Sequence, residues 1–228
     1  MLGVLVNVTA VILGALIGAL VKKGLPENIK NALTTAVAMA VVYIGIDGML
    51  QGENTLVLVL SMVSGGLIGT LLNLDARLYG LGERLEKKFS KGNSNSTIAG
   101  GFVSASLLFC VGAMAIVGPL KSGLSGEHEM QFTKAILDFI SAIIFSSAFG
   151  GLGVALSAFS VLLLQGSITL LAGVVAPYLT DYTIGEMTCV GSVLILILGL
   201  NILGITKVKL MNYVPAIFVP VVLCIFMK

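Results

Sequence analysis

Asp138 is the side chain in this chain whose type and position could most readily do chemistry. It stands about two helical turns inside a long apolar stretch, where a charge costs several kcal/mol unless it is paired or put to use. Lys134 precedes it by four residues, a spacing that places both groups on one helix face. Two roles stay open for Asp138: a coupling or substrate-binding acid, or the structural partner of Lys134. Uncharged polar residues reach deeper. Asn7 lies in the first apolar stretch, Gln165 beside Gly166 near the middle of the sixth, and Asn201 late in the seventh. An unmet amide in hydrocarbon is costly, so each either hydrogen-bonds a neighbouring helix or lines a polar cavity. Gln165 is the preferred solute contact, because the adjoining glycine leaves backbone open to a ligand. Asp138, Gln165, Asn7 and Asn201 are therefore the expected substrate- or ion-binding residues. Nearer the ends of their stretches, Asp47 reads as an acid snorkelling to the interface, and Glu186 as a solvated helix cap or a vestibule lining.

Other chemistries are set aside by what the chain lacks. His128 is its single histidine, so no His-based metal cluster or His-dependent triad can form. No phosphate-binding or dinucleotide fingerprint occurs, which argues against nucleotide-driven pumping within the chain. Cys110, Cys189 and Cys224 all fall in apolar stretches, where cysteine packs as a small hydrophobe. No enzyme activity, metal or cofactor is expected.

The elements that must hold these residues follow from composition. The 228 residues are 57% hydrophobic and 11% charged, whereas a soluble domain carries about 25% charge. A water-facing surface cannot be built from so few charges, which excludes soluble, disordered and nucleic-acid-binding classes. Eight apolar stretches, at residues 3–21, 33–50, 55–73, 97–120, 132–150, 155–175, 187–205 and 213–227, meet or approach the roughly 20 residues a spanning helix needs. The fold expected is all-α: a polytopic transmembrane helix bundle of about eight spans, forming one integral-membrane domain over 1–228. The last stretch is short, and the fifth and sixth meet at Gly150-Gly151-Leu152-Gly153, so seven spans plus a re-entrant segment is the alternative. Ten of the thirteen Lys and Arg residues fall on one side of this layout. Excess cations mark the cytoplasmic face, which puts both termini outside.

Small residues and prolines complete the layout. Gly14 with Gly18, and Gly65 with Gly69, have the spacing that lets helix backbones approach closely in lipid. Gly150 and Gly153 are expected to bend or break a span, and Pro215, with Pro220, to kink the last one. A homodimer through a Gly-rich face is also expected. Residues 74–91 read as a cytoplasmic amphipathic helix, with Leu74, Leu78, Leu81, Leu85 and Phe89 along one face. Residues 92–96 read as a flexible linker. Two echoes suggest an internal repeat. Gly14–Leu20 aligns with Gly65–Leu71 in the same direction, and Cys110–Ile116 aligns with Cys189–Ile195 in the inverted sense found in many secondary transporters.

Taken in order, these segments resemble a bacterial family of multi-pass inner-membrane proteins catalogued as domain of unknown function 554. The carriers are Gly14-Ala-Leu-Ile-Gly18, the Gly65 to Leu78 stretch ending Asn73-Leu-Asp75-Ala-Arg77-Leu78, Cys110-Val-Gly-Ala-Met-Ala-Ile116, Lys134-Ala-Ile-Leu-Asp138, Gln165-Gly166 and Gly199-Leu-Asn-Ile-Leu-Gly204. The resemblance covers essentially the whole chain. It implies a prokaryotic inner (plasma) membrane protein, and it brings no reaction or substrate onto these positions.

The expected function is secondary transport of a small polar solute or ion, without nucleotide hydrolysis. The alternatives are a non-transporting adaptor or sensor acting through the 74–91 helix, and a channel. The expected partners are the lipid bilayer, the solute or ion, and a second copy of the chain, with no nucleic acid.

Overall fold

Long apolar runs can satisfy their own backbone polar groups only as helices when no water is at hand, and helices are what these runs form. The fold was obtained as a computed structural model and is described for residues 1–23, 26–77 and 97–226. In order come α1 (Leu2–Lys23), α2 (Glu27–Met49), α3 (Thr55–Leu71), α4 (Thr97–Cys110), α5 (Ala113–Leu124), α6 (Glu129–Phe149) and α7 (Gly151–Leu170). A short α8 (Ala172–Val175) and a 3-10 turn (Ala176–Tyr178) lead into α9 (Asp181–Ile202). A 3-10 helix (Leu210–Phe218) then continues as α10 (Val219–Phe226). No strand occurs among the described residues.

Among the described residues, α1, α2, α6, α7 and α9 are each long and apolar enough to cross a membrane. The α4–α5 pair makes a sixth candidate if it counts as one span, bent by 61° at its break. The α3 helix and the Leu210–Phe226 segment are apolar but shorter. Of the expected amphipathic helix, residues 74–77 are helical, while the rest of it and the 92–96 linker lie outside the described residues.

The described chain forms two compact units, each drawing on sequence before and after residue 96. The first contains α1, α4, α6, α7 and nearly all of α5. Its α1 buries Val4, Asn7, Val11, Gly14, Ala15 and Gly18, and exposes Leu5, Ile12, Leu13, Leu16 and Leu20. Small and polar residues inside with large apolar ones outside is the pattern expected when lipid is the solvent. A Cβ at Gly14 would fall 2.5 Å from the Phe139 carbonyl oxygen, and one at Gly18 would strike the Ile143 carbonyl. With Gly3 against Gln131, these contacts advance together along both helices, so α1 and α6 run parallel. Gly150 alone separates α6 from α7, at φ 102°, a left-handed backbone that glycine adopts without penalty. The chain thereby reverses, and Gly151 packs on Ala15 and Ala19 of α1. Gly153 in turn lies against the Ile98 carbonyl, bringing α4 onto α7.

The second unit contains α3, α9, the Leu210–Phe226 segment and the half of α2 from Ala38 onward. Thr180 caps α9, its hydroxyl accepting from the Thr183 N–H at 3.2 Å. Gly45, Gly48 and Gly52 meet Leu196, Ser192 and Cys189 in that order, so α2 and α9 run antiparallel. Gly65, Gly66 and Gly69 of α3 close on Ala216, Tyr213 and Asn212. The last stretch is not a kinked α-helix. Pro215 and Pro220 each remove an i to i−4 hydrogen bond, and the chain instead takes nine residues of 3-10 geometry before its final α-helical turns.

Candidate functional site

The first unit holds a buried polar cluster in otherwise apolar surroundings. On α6, Gln131, Lys134 and Asp138 recur at three- and four-residue spacing, all buried. Phe132, Ile136, Leu137 and Ile140 take the exposed face of the same helix. The Lys134 Nζ donates to both carboxylate oxygens of Asp138, at 2.9 and 2.7 Å. Asn7 of α1 joins them. Its Nδ2 donates to Asp138 Oδ2 at 2.9 Å and to Gln165 Oε1 of α7 at 3.1 Å. Both amides are fully buried. Three helices are thus tied together at one point by one ion pair and two amides.

The cluster is not saturated. Asn7 Oδ1, Gln165 Nε2, Gln131 Oε1 and Gln131 Nε2 are buried without a hydrogen-bond partner among the described residues. Buried polar atoms in folded proteins are nearly always bonded; two of these orphans belong to the bonded Asn7–Gln165 pair, and the Gln131 amide lies on the same buried face of α6 as Lys134 and Asp138. Gln131 sits between two glycines: a Cβ at Gly3 would fall 2.6 Å from its Cβ, and one at Gly118 3.4 Å from its Oε1. On the same side of the unit, Thr169 Oγ1 donates to the Pro119 carbonyl at 3.2 Å.

Residues 2–225 match the family described as "Protein of unknown function (DUF554)". The chain belongs to this family. The DUF554 chain is 36% identical over 224 residues to the "Uncharacterized membrane protein YdfK" of Bacillus subtilis (strain 168), covering 96% of this chain and 94% of that protein. It is 29% identical over 221 residues to the "Uncharacterized protein YqgA" of Escherichia coli (strain K12), covering 95% and 93%. No solved structure matches.

Of the four site residues expected from sequence, Asn7, Asp138 and Gln165 of the DUF554 chain are bonded together. Asn201 is not among them. It belongs to the second unit, where its Nδ2 donates to the Val208 carbonyl and its Oδ1 accepts from the Val208 N–H and the Thr206 hydroxyl. These side-chain bonds hold the turn after α9. Gln131 is the residue that sequence reasoning missed. The fifth apolar stretch begins at Phe132, one residue after it, whereas the helix begins at Glu129. The available signal was spacing: Gln131 lies three residues before Lys134 and seven before Asp138, on the same helical face.

Glu186 corrects a second expectation. It is 1% exposed, not solvated, and it holds the connection that leads into another helix. Its Oε1 accepts from the backbone N–H groups of Glu53 and Asn54 at 2.7 and 2.8 Å, while Asn54 Oδ1 accepts from Leu56 and Val57 at the start of α3. Two backbone donors of the connection just before α3 are met by a carboxylate from α9, and Asn54 caps the helix itself. Asp47 is exposed.

Proposed function

We propose that this chain is an integral-membrane transporter of a small polar solute or ion, working without nucleotide hydrolysis, in the inner (plasma) membrane of a prokaryotic cell. The observation that carries it is the Asn7–Asp138–Gln165 cluster, with Gln131 and Lys134 beside it and four polar atoms unmet at depth. Ionisable groups are rare inside apolar spans and mark solute and ion pathways. The Bacillus subtilis relative, called a membrane protein, supports the location. Asn201 stays outside this reading because its amide serves a local turn. A homodimer has to use a surface other than the two GxxxG faces, which are occupied within the chain.

The topology proposed is eight crossings with both termini outside, and helix direction supports the count. Because α1 and α6 run parallel, an even number of crossings must separate their starts. The helices α1, α2 and α3, with α4–α5 as one broken span, supply four. A re-entrant α4–α5 would leave three and set α6 against α1.

The test is flux. Vesicles reconstituted with the protein should pass at least one solute, from a mixed panel of labelled ions and small polar molecules, faster than protein-free vesicles. Asp138→Asn and Gln165→Ala should each slow that flux by about tenfold, the scale of one lost hydrogen bond in a binding step. Flux unchanged in both variants would sink the proposal.

A further inference from the structure

The proposed site also restricts what can occupy it. We infer that the Asn7–Gln131–Asp138–Gln165 cluster takes an uncharged solute carrying both hydrogen-bond donors and acceptors, such as a small amide or polyol, and not a bare ion. This inference rests on the transport reading above.

Charge is the first ground. Lys134 Nζ contacts both oxygens of Asp138, and both side chains are buried. The pair is neutral as it stands. A cation would have to take Asp138 from Lys134, and an anion would have to take Lys134 from Asp138. Either exchange strands a buried charge, which is the costly way to break such a pair. Asp138 Oδ2 is committed further, since it also accepts from Asn7.

Amide orientation is the second ground. A carboxylate paired with Lys134 only accepts, so the group of Asn7 that faces it must be the NH2. The same NH2 faces Gln165, which must therefore present its oxygen, because a reversed Gln165 would set two donors against each other. That chain of assignments fixes which atoms remain. Asn7 is left with an acceptor and Gln165 with a donor, and Gln131 contributes one of each. The unmet set is two acceptors and two donors with no net charge.

Matching that set is the third. A bare cation can meet the two oxygens and leaves both NH2 groups unpaired; a bare anion does the reverse. A solute bearing a carbonyl or hydroxyl oxygen together with N–H or O–H groups offers both kinds of partner, to the paired Asn7 and Gln165 and to Gln131 on the same face of α6 as Asp138. Discrimination by buried polar groups is strong for this reason, since the wrong ligand leaves them unpaired.

Gln131→Leu provides the test, because the Gln131 side chain makes no hydrogen bond among the described residues and leucine is close to it in size. Removing an unmet polar group from a buried site should raise the unfolding midpoint in detergent. In reconstituted vesicles, stopped-flow light scattering would follow entry of urea, acetamide and glycerol, and ion-sensitive dyes would follow Na+, K+ and Cl−. The expected result is entry of at least one neutral probe above the protein-free rate, slowed about tenfold in Gln131→Leu although that variant is the more stable. Should Gln131→Leu fail to fold, Gln131→Met carries the same comparison. Neutral entry left unchanged by the substitution would overturn the inference. Ion flux without neutral entry, lost in Asp138→Asn, would overturn it and leave transport standing. Flux of no probe at all would overturn both.

Discussion

Lys134 and Asp138 make opposite demands on a stability experiment, and that separates their structural from their functional weight. Removing one member of a buried pair leaves the other charged and unpaired, at about 3–5 kcal/mol. Removing both costs much less, and Asn7 would still hold Gln165 through its second bond. Lys134→Met alone should therefore lower the unfolding midpoint markedly, and Lys134→Met with Asp138→Leu should recover most of the loss. A double variant no more stable than the single one would mean that Asp138 supports the fold through more than its lysine. Assayed for flux, the recovered double variant should be inactive if Asp138 serves transport. The i, i+4 spacing made this pair legible in the sequence, and the depth of Asn7 and Gln165 made them suspects. Their meeting was not legible, because the partners come from helices more than a hundred residues apart. Glu186 was misread for a related reason. A carboxylate near the end of an apolar run reads as solvated, and nothing local signals that two backbone N–H groups from the α2–α3 connection will cover it.

At the scale of elements, glycine spacing announces close approach but does not say to what. Gly14 and Gly18 lie against backbone carbonyls of α6, whereas Gly65 and Gly69 close on the 3-10 helix. The same GxxxG pattern therefore serves a parallel helix pair in one unit and an antiparallel contact in the other. The second echo behaves similarly: Cys110 ends α4 at its break, while Cys189 lies inside the unbroken α9. The 3-10 geometry of Leu210–Phe218 was beyond reach of periodicity, since its apolar residues suit an α-helix equally well and only Pro215 warned against one. A Cβ at Gly69 would collide with the Asn212 carbonyl, while one at Gly100 of α4 meets nothing within 4 Å. Gly69→Ala should thus destabilise by about 1–3 kcal/mol through overpacking. Gly100→Ala should stabilise by about 0.5–1 kcal/mol through helix propensity. Thermal unfolding of the two variants in one detergent checks the contrast, and equal midpoints would remove the close packing of α3 on the 3-10 helix from the account.

For the whole molecule, charge and apolar length made the helical membrane class legible at once, because so few charges cannot cover a soluble surface and runs of about 20 apolar residues match a bilayer. What the apolar stretches left open was whether each one crosses. Residues 97–120 read as one span and fold as two helices meeting at 61°, a shape that suits either a broken crossing or a return to the same side. The parallel run of α1 and α6 favours the crossing, and single-cysteine labelling decides it. With Cys110, Cys189 and Cys224 replaced by alanine, cysteines at the exposed positions Gln51, Ser125 and Ile205 would report three connections. In intact cells a membrane-impermeant maleimide should label positions 51 and 125 and should reach 205 only after the membrane is opened. Position 51 calibrates the outer face, since α2 and α3 meet there, and with α4–α5 crossing 205 falls on the inner face that Lys207 and Lys209 mark by the positive-inside rule. Position 125 then carries the decision. If α4–α5 crosses, it labels with 51 and 205 stays protected; if the pair re-enters, 125 is protected while 205, three crossings further on, labels with 51, α6 starts from the inside, and its parallel packing against α1 cannot be kept.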